Sequence, residues 1–232
     1  DLAISEAEKS HIRSGAGITI ILKKVENPLE YGLALMNGEN RITHFTEKPA
    51  WSEVFSDCVG TGCYMIEPKI LSLIPENRAF DFAKDLIPLL LAKGIPINGH
   101  LTESYWCDVG NTEAYLKALG DTLAGKVQLR LNATYKNGIW IGENAKISPS
   151  AILQAPCYIG SGSRIENGAR IGEGSVIGKG AYIGQGANIK KSLIGANSVV
   201  MDHAKVSHAL LCGNNRIAAE VKILENAVVE II

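Results

Sequence analysis

From Ile141 to Asn188 the chain reads IGENAK, ISPSAI, LQAPCY, IGSGSR, IENGAR, IGEGSV, IGKGAY, IGQGAN, with an aliphatic residue opening every block of six. The starts are Ile141, Ile147, Leu153, Ile159, Ile165, Ile171, Ile177 and Ile183, and Ile189 opens the next block. A five-residue step then reaches Ile194, and six-residue steps reach Val200 and Val206. A second five-residue step leads to Leu211, followed by Ile217, Ile223 and Val229. A unit this short holds one strand and one corner but no helix hairpin. Three such sides predict a triangular coil, and stacked coils bury the aliphatic ladder as a continuous prism.

The remaining positions agree with that reading. The third residue after each start is often Gly or Asn, as at Asn144, Gly162, Gly168, Gly174, Gly180, Gly186 and Asn197. Those residues suit a tight corner with positive φ. The fourth is small, as at Ala145, Ala151, Ser163, Ala169, Ser175, Ala181, Ala187 and Ser198, so the corner can close on the core. The two shortened steps begin at Ile189 and Val206, 17 residues and so one coil apart, which predicts that both fall on the same side of the prism. The pattern resembles the hexapeptide repeat of left-handed parallel β-helices, and the handedness comes from that resemblance, because generic crossovers are right-handed. The resemblance covers about residues 133–232. It is specific for fold and weak for function, since such prisms serve acyltransferases and also end nucleotidyltransferases.

Composition sets broad bounds. The 232 residues carry a formal charge of −1 and show no basic stripe of the kind that tracks nucleic acid. No apolar run is long enough to span a membrane, and no signal peptide is recognisable. Cys58, Cys63, Cys107, Cys157 and Cys212 are odd in number and form no CxxC pair, so they read as reduced, buried or half-buried thiols of a cytoplasmic protein. The five histidines show no metal spacing.

The first half is built differently. Ser5-Glu6-Ala7-Glu8 predicts a capping box opening a short helix that Gly15 ends. Strands are expected at 18–25, 32–36, 41–46, 59–66, 95–101 and 105–109, and helices at about 68–74, 81–93 and 111–123. Asp81 and Asn111 are the expected caps of the last two helices. Asn37-Gly38-Glu39-Asn40 predicts a tight hairpin. This alternation is that of an α/β layer structure. Residues 1–125 therefore form one expected domain, 126–140 a linker and 141–232 the β-helix. Trp51 and Phe55 read as a core or lid face.

Three motifs then carry a second resemblance: Asn27-Pro28-Leu29-Glu30-Tyr31-Gly32, Phe45-Thr46-Glu47-Lys48-Pro49, and Tyr105-Trp106-Cys107-Asp108-Val109-Gly110-Asn111. In order and spacing they are similar to sugar-1-phosphate nucleotidylyltransferases, and most of all to the mannose-1-phosphate guanylyltransferase-like group with a C-terminal β-helix. Phe80-Asp81-Phe82-Ala83-Lys84-Asp85-Leu86 and the Lys126-Val127 exit fit the same group. The fold so implied is the C-terminal portion of a Rossmann-like nucleotidyltransferase domain followed by a left-handed β-helix. Taken singly, Glu47-Lys48-Pro49 reads as a charged turn, Asp108 as a residue favouring a helix start, and Tyr31-Gly32 as a strand start. Their shared order is what raises them to a site.

The resemblance implies a reaction in which a sugar phosphate oxygen attacks the α-phosphorus of a nucleoside triphosphate and releases pyrophosphate. It implies Lys48 on the sugar phosphate, Glu47 on the sugar hydroxyls and Gly32 where backbone approaches sugar. It implies Asp108 as one of two aspartates on Mg²⁺. Apart from the resemblance, the apolar and β-prone end Ala227-Val228-Val229-Glu230-Ile231-Ile232 predicts a homo-oligomer built through the prism, and composition predicts no nucleic acid or membrane partner. Two departures matter. The glycine-rich loop with its Arg and Lys, and the first metal-binding aspartate, do not occur, so the chain is expected to be the C-terminal part of a longer protein and inactive alone. Gly60 stands where the family usually has an asparagine that helps hold the sugar, which leaves the sugar open. The nucleobase is not legible. The competing expectations are a non-catalytic assembly module built on the prism and, last, an acyltransferase using His203 or His208, for which no loop interrupts the repeats.

Overall fold

The computed structural model describes residues 2–129, 131–224 and 227–229. By internal packing it divides into two compact units, residues 1–106 and 107–232.

In the first unit the strands are β1 (Ile18–Lys24), β2 (Gly32–Met36), β3 (Ile42–Glu47), β4 (Cys58–Ile66) and β5 (Ile97–Leu101), in the sheet order β3-β2-β4-β1-β5. Only β1 and β5 run parallel; β1–β4, β2–β4 and β2–β3 are antiparallel. This half is therefore a mixed sheet with helices rather than a regular strand–helix alternation. Ile18, Ile20, Leu22, Leu86, Ile87, Leu90 and Ile97 form its dry core. Helix α1 (Ile4–Ser14) begins one residue before Ser5, and no side chain caps it, so the expected capping box is not formed. Gly15 does end it in the left-handed conformation. The helix is tied down from its buried face: His11 Nδ1 lies 2.8 Å from Thr19 Oγ1 on β1, and Asn98 on β5 donates to Ser10 and Thr19.

The middle helices are shorter than expected: α2 is Pro68–Leu71 and α3 is Ile87–Ala92. Between them Phe82–Leu86 makes a π-helical turn, capped by Asp81, whose carboxylate accepts the Lys84 N–H at 2.8 Å. Pro88 has no N–H to pair with the Lys84 carbonyl, which breaks the regular α ladder at this point. Residues 105–110 form no strand, contrary to the pattern, for a reason given below. Trp51 and Phe55 are exposed rather than core.

The second unit opens with α4 (Thr112–Leu123), capped by Asn111, whose side chain accepts the Ala114 N–H at 2.8 Å. The antiparallel pair β6 (Ala133–Lys136) and β7 (Ile139–Gly142) follows, so the expected linker already contains part of the sheet. Beyond it the chain winds through three parallel faces. One face stacks Ile141, Ile159, Ile177, Ile194, Leu211 and Val229. The second stacks Ile147, Ile165, Ile183, Val200 and Ile217. The third stacks Leu153, Ile171, Ile189, Val206 and Ile223. From Ile159 to Val206 every ladder residue is at most 1 % exposed.

Both shortened steps run from the third face to the first, so they share one corner, as the spacing predicts. Lys191 and His208 hold that corner at φ 44° and 50°. His203 is likewise a corner residue, at φ 59°. Glycine is required where coils stack closest: a Cβ on Gly178 would lie 2.6 Å from the Ala196 nitrogen and 2.7 Å from the Gly195 carbonyl carbon, both backbone atoms that cannot yield. Inside the prism burial pushes the Cys157 thiol up to about 11. Cys212, by contrast, is exposed, and none of the five cysteines forms a disulfide.

Ile183→Ala should cost about 2–5 kcal/mol in urea unfolding through lost burial and a cavity. Gly178→Ala should also destabilise, although it adds apolar volume. If Gly178→Ala were neutral while Ile183→Ala was costly, the close stacking of corners would be wrong.

Candidate active site

In the first unit the three motifs meet at Tyr31. Its carbonyl accepts the Lys48 N–H at 3.0 Å, which ties the first motif to the second. Its ring meets Trp106 of the third motif edge-on, with centroids 5.4 Å apart. Trp106 in turn donates its indole N–H to the Thr61 carbonyl at 3.1 Å. That carbonyl is free because β4 bulges against β1: the pairing jumps from Tyr64↔Ile20 to Gly60↔Leu22. Gly62 takes φ 79° within the bulge, and Thr61 closes it by donating its hydroxyl to the Ile21 carbonyl. Trp106 is thus fixed by its side chain, and its own backbone extends no ladder. This is why the aromatic run 105–109 is not a strand.

Gly32 opens β2 directly opposite Glu47, the last residue of β3. A Cβ on Gly32 would meet the Phe45 ring and lie 2.7 Å from Glu47 Oε2. The close approach that this glycine permits is therefore that of Phe45 and of the Glu47 carboxylate. Glu47 is half-buried, and burial pushes its carboxyl above the ordinary range, helped by the charge of Asp81 and opposed by Lys48 and Lys84. Lys48 is exposed and sits at φ 48° immediately before Pro49. A left-handed backbone costs a non-glycine residue roughly 1–2 kcal/mol. Anchoring of its N–H to Tyr31 holds that geometry and sets the side chain at the rim beside Glu47.

Sequence reading gave no site role to Tyr64, Asp81 or Lys84, whose charges or burial act together with the same carboxylate. The Tyr64 phenol is pushed up by burial and then by the charges of Glu47 and Asp81. Its ring lies edge-on to Phe82 at 5.3 Å. Tyr64, Asp81 and Phe82, with Phe80 and Ala83, line an open cavity of about 380 Å³. The signal was present in Phe80–Leu86, a matching motif whose lysine was given no role. Gly60 also belongs to this cluster: a Cβ there would have ordinary contacts with Ile20, the Gly32 carbonyl and Phe45.

Gly32, Glu47 and Lys48 are therefore brought together. Asp108 lies in the second unit, exposed, three residues before the cap of α4. Its Oδ2 lies 3.9 Å from where a Cβ on Gly110 would stand. Among the described residues no three His, Cys, Asp or Glu side chains cluster as a metal cage. A lone exposed carboxylate suits Mg²⁺, which keeps waters and takes its other ligands from phosphates.

Residues 1–125 match the family model described as nucleotidyl transferase. The chain belongs to that family. Residues 136–231 match the model described as the EIF2B subunit epsilon LbH domain, a left-handed β-helix. The chain is 32% identical over 233 residues to a UTP–glucose-1-phosphate uridylyltransferase of Synechocystis, covering 98% of this chain and 56% of that protein. It is 35% identical over 219 residues to a mannose-1-phosphate guanyltransferase of Candida albicans, covering 94% and 56%. It is 28% identical over 156 residues to a mannose-1-phosphate guanylyltransferase of Mycobacterium tuberculosis, covering 67% and 43%. The chain thus spans about half the length of these relatives. No helix among the described residues is long and apolar enough to cross a membrane.

The raised Glu47 carboxyl has a consequence for stability. Above its raised titration point the ionised group sits half-desolvated and facing Asp81; below the ordinary carboxylate range it is neutral in both folded and unfolded chains. Glu47→Gln should therefore be more stable than the native chain near pH 8, with the difference vanishing as the pH falls toward about 4. Urea unfolding at the two pH values checks this, and a Gln variant that loses stability at pH 8 would reverse the assigned sign.

Proposed function

We propose that this chain is the sugar-phosphate half and the β-helix of a nucleotidyltransferase that makes a nucleotide sugar from a nucleoside triphosphate and a hexose 1-phosphate, releasing pyrophosphate. GTP with mannose 1-phosphate is the preferred pair. The observation that carries the reading is the clustering of Gly32, Glu47 and Lys48, locked through Tyr31 to Trp106. In this reading the Lys48 ammonium is the point cation for the sugar phosphate, with Lys84 a second positive charge near Glu47. The Glu47 carboxylate accepts hydrogen bonds from the sugar hydroxyls. Burial and Asp81 make that carboxylate a stronger acceptor than an exposed one. Mg²⁺, when bound, neutralises phosphate charge, and Asp108 supplies one of its carboxylates. The mannose-specific relatives support the preferred pair, and the Synechocystis relative makes UTP with glucose 1-phosphate the pair to compete against it. Gly60 has room for a small side chain, so sugar choice is open to change there. A cytoplasmic setting accords with five cysteines that form no disulfide.

In the full-length protein, Lys48→Ala should raise KM for the sugar phosphate about ten- to 150-fold, from loss of a charge-assisted contact of roughly 1.5–3 kcal/mol. Asp108→Asn should act mainly on kcat. If both variants keep native kinetics, the assignment fails. The 232 residues by themselves contain no glycine-rich phosphate loop, and the purified chain should give no turnover with any common triphosphate, hexose 1-phosphate and Mg²⁺. Robust turnover would contradict that division of labour.

Self-association through the prism belongs to the proposal and is also the basis of the second reading, a non-catalytic assembly module. Val221, Leu224 and Val228 are exposed in its last described coil, 40%, 57% and 48% respectively. Residues 230–232 of the apolar end lie outside the described residues. Light scattering should show an oligomer that weakens when residues 223–232 are removed; a strict monomer across micromolar concentrations would refute it. Acyl transfer by the prism ranks last, because His203 and His208 both serve as coil corners.

A further inference from the structure

The third face of the prism gathers positive charge that the linear sequence disperses. Its inward ladder residues have outward neighbours on either side. The outward column before the ladder runs Ile152, Arg170, Asn188, Lys205, Lys222, each in register with the next. In the column after it, Lys190 pairs with Ser207, and Ser207 with Leu224. Arg170, Lys190, Lys205 and Lys222 thus place one cation on each of four successive coils. They stand roughly one coil apart in the chain, so no basic run marks them in the sequence. Parallel strands lie about 4.8 Å apart, and the four rungs make a row roughly 14 Å long. Gly172, on the Arg170 coil, leaves room for the Lys190 stem: a Cβ there would lie 3.2 Å from Lys190 Cγ.

All four cations are exposed, and among the described residues none of them takes part in an ion pair. The outward columns of this face hold no carboxylate. The nearby acidic residues sit at its corners: Glu173 lies 3.8 Å from Lys191, Asp202 accepts the Gln185 N–H at 2.9 Å, and Glu220 holds a corner at φ 64°. Lys205 and Lys222 are direct neighbours across the ladder, where like charges are destabilising. The prism therefore holds repelling cations at a fixed spacing, a pattern complementary to a row of negative charges. The outward neighbours Ile152, Gln154, Asn188, Ser207 and Leu224 include no aromatic ring, so nucleobases would find nothing to stack on. Asn188 and Ser207 supply neutral polar groups between the cations, suited to a peptide backbone. We propose that this face docks an acidic, extended polypeptide segment of a partner protein, which crosses the rungs with its carboxylates on Arg170, Lys190, Lys205 and Lys222. At about 3.3 Å per residue, roughly four or five residues span the row. This surface is separate from Glu47 and Lys48 and stands independently of the catalytic reading.

The test is fluorescence anisotropy of a labelled oligoglutamate peptide titrated with the purified chain at low ionic strength, with polyuridylate and phosphatidylserine vesicles as competitors. Saturable binding is expected, weakening as salt is added. The double variant Lys205→Glu with Lys222→Glu should weaken it about tenfold or more. The double variant Lys146→Glu with Arg216→Glu makes the same change in net charge on the second face and should leave binding within about twofold of native. Absence of saturable binding, or equal losses in the two double variants, would overturn the proposal. So would displacement of the peptide by polyuridylate or by vesicles at lower concentration than by unlabelled oligoglutamate, which would assign the face to nucleic acid or to a lipid surface. Should charge reversal unfold the chain, as read by circular dichroism, the neutral pair Lys205→Gln with Lys222→Gln decides the matter: native affinity in that variant would equally refute the docking.

Discussion

The bond from the Lys48 N–H to the Tyr31 carbonyl holds the first unit's site together. It keeps a lysine in the left-handed region directly before a proline, a conformation that an unanchored lysine would leave. Because Tyr31 also meets Trp106, the same residue fixes the ends of three segments that are far apart in sequence. The bulge in β4 makes this possible by turning the Thr61 carbonyl toward the Trp106 indole. Glu47 then has a single place to go, over Gly32, where any side chain would collide with it. The polar groups of the site are thus positioned by backbone geometry and by aromatic packing, and its charges act on a scaffold already set.

The prism follows a related logic with different parts. Its ladder residues do no more than bury themselves; the corners decide the shape. Glycines such as Gly178 let consecutive coils touch backbone to backbone, and asparagine, lysine or histidine corners hold positive φ where glycine is absent. A residue deleted at one corner leaves the ladder in register, since Ile194 and Leu211 still stack on Ile177 and on each other. The cost of the deletion appears outside, as a recess opposite α4.

What the sequence showed depends on the range of the interaction responsible. The ladder and its shared corner were legible because side-chain period and coil length are local properties, and Gly15, Asp81 and Asn111 acted at the helix ends as read. Ser5 misled because a capping-box pattern also fits the inside of a first turn; the helix begins at Ile4 with no cap bond. Tyr105–Val109 has strand composition, yet its Trp106 is recruited by Thr61, a partner 45 residues away. Trp51 and Phe55 read as a core or lid face; their exposure excludes the core, and Phe55 lies against the His44 ring. Gly32, Glu47 and Lys48 were found by their motifs. Tyr64 lay outside the motifs, and the relation of Asp81 and Lys84 to Glu47 exists only after the sheet has formed.

The central claim is that the cluster at Glu47 and Lys48 is a sugar-phosphate subsite. The most direct measurement is a structure of this chain with bound mannose 1-phosphate. The account predicts the phosphate at the Lys48 ammonium, ring hydroxyls on the Glu47 carboxylate, and the sugar lying beside Gly60. A sugar phosphate bound with no contact to Lys48 or Glu47, or a chain that takes up none at millimolar concentration, would contradict it.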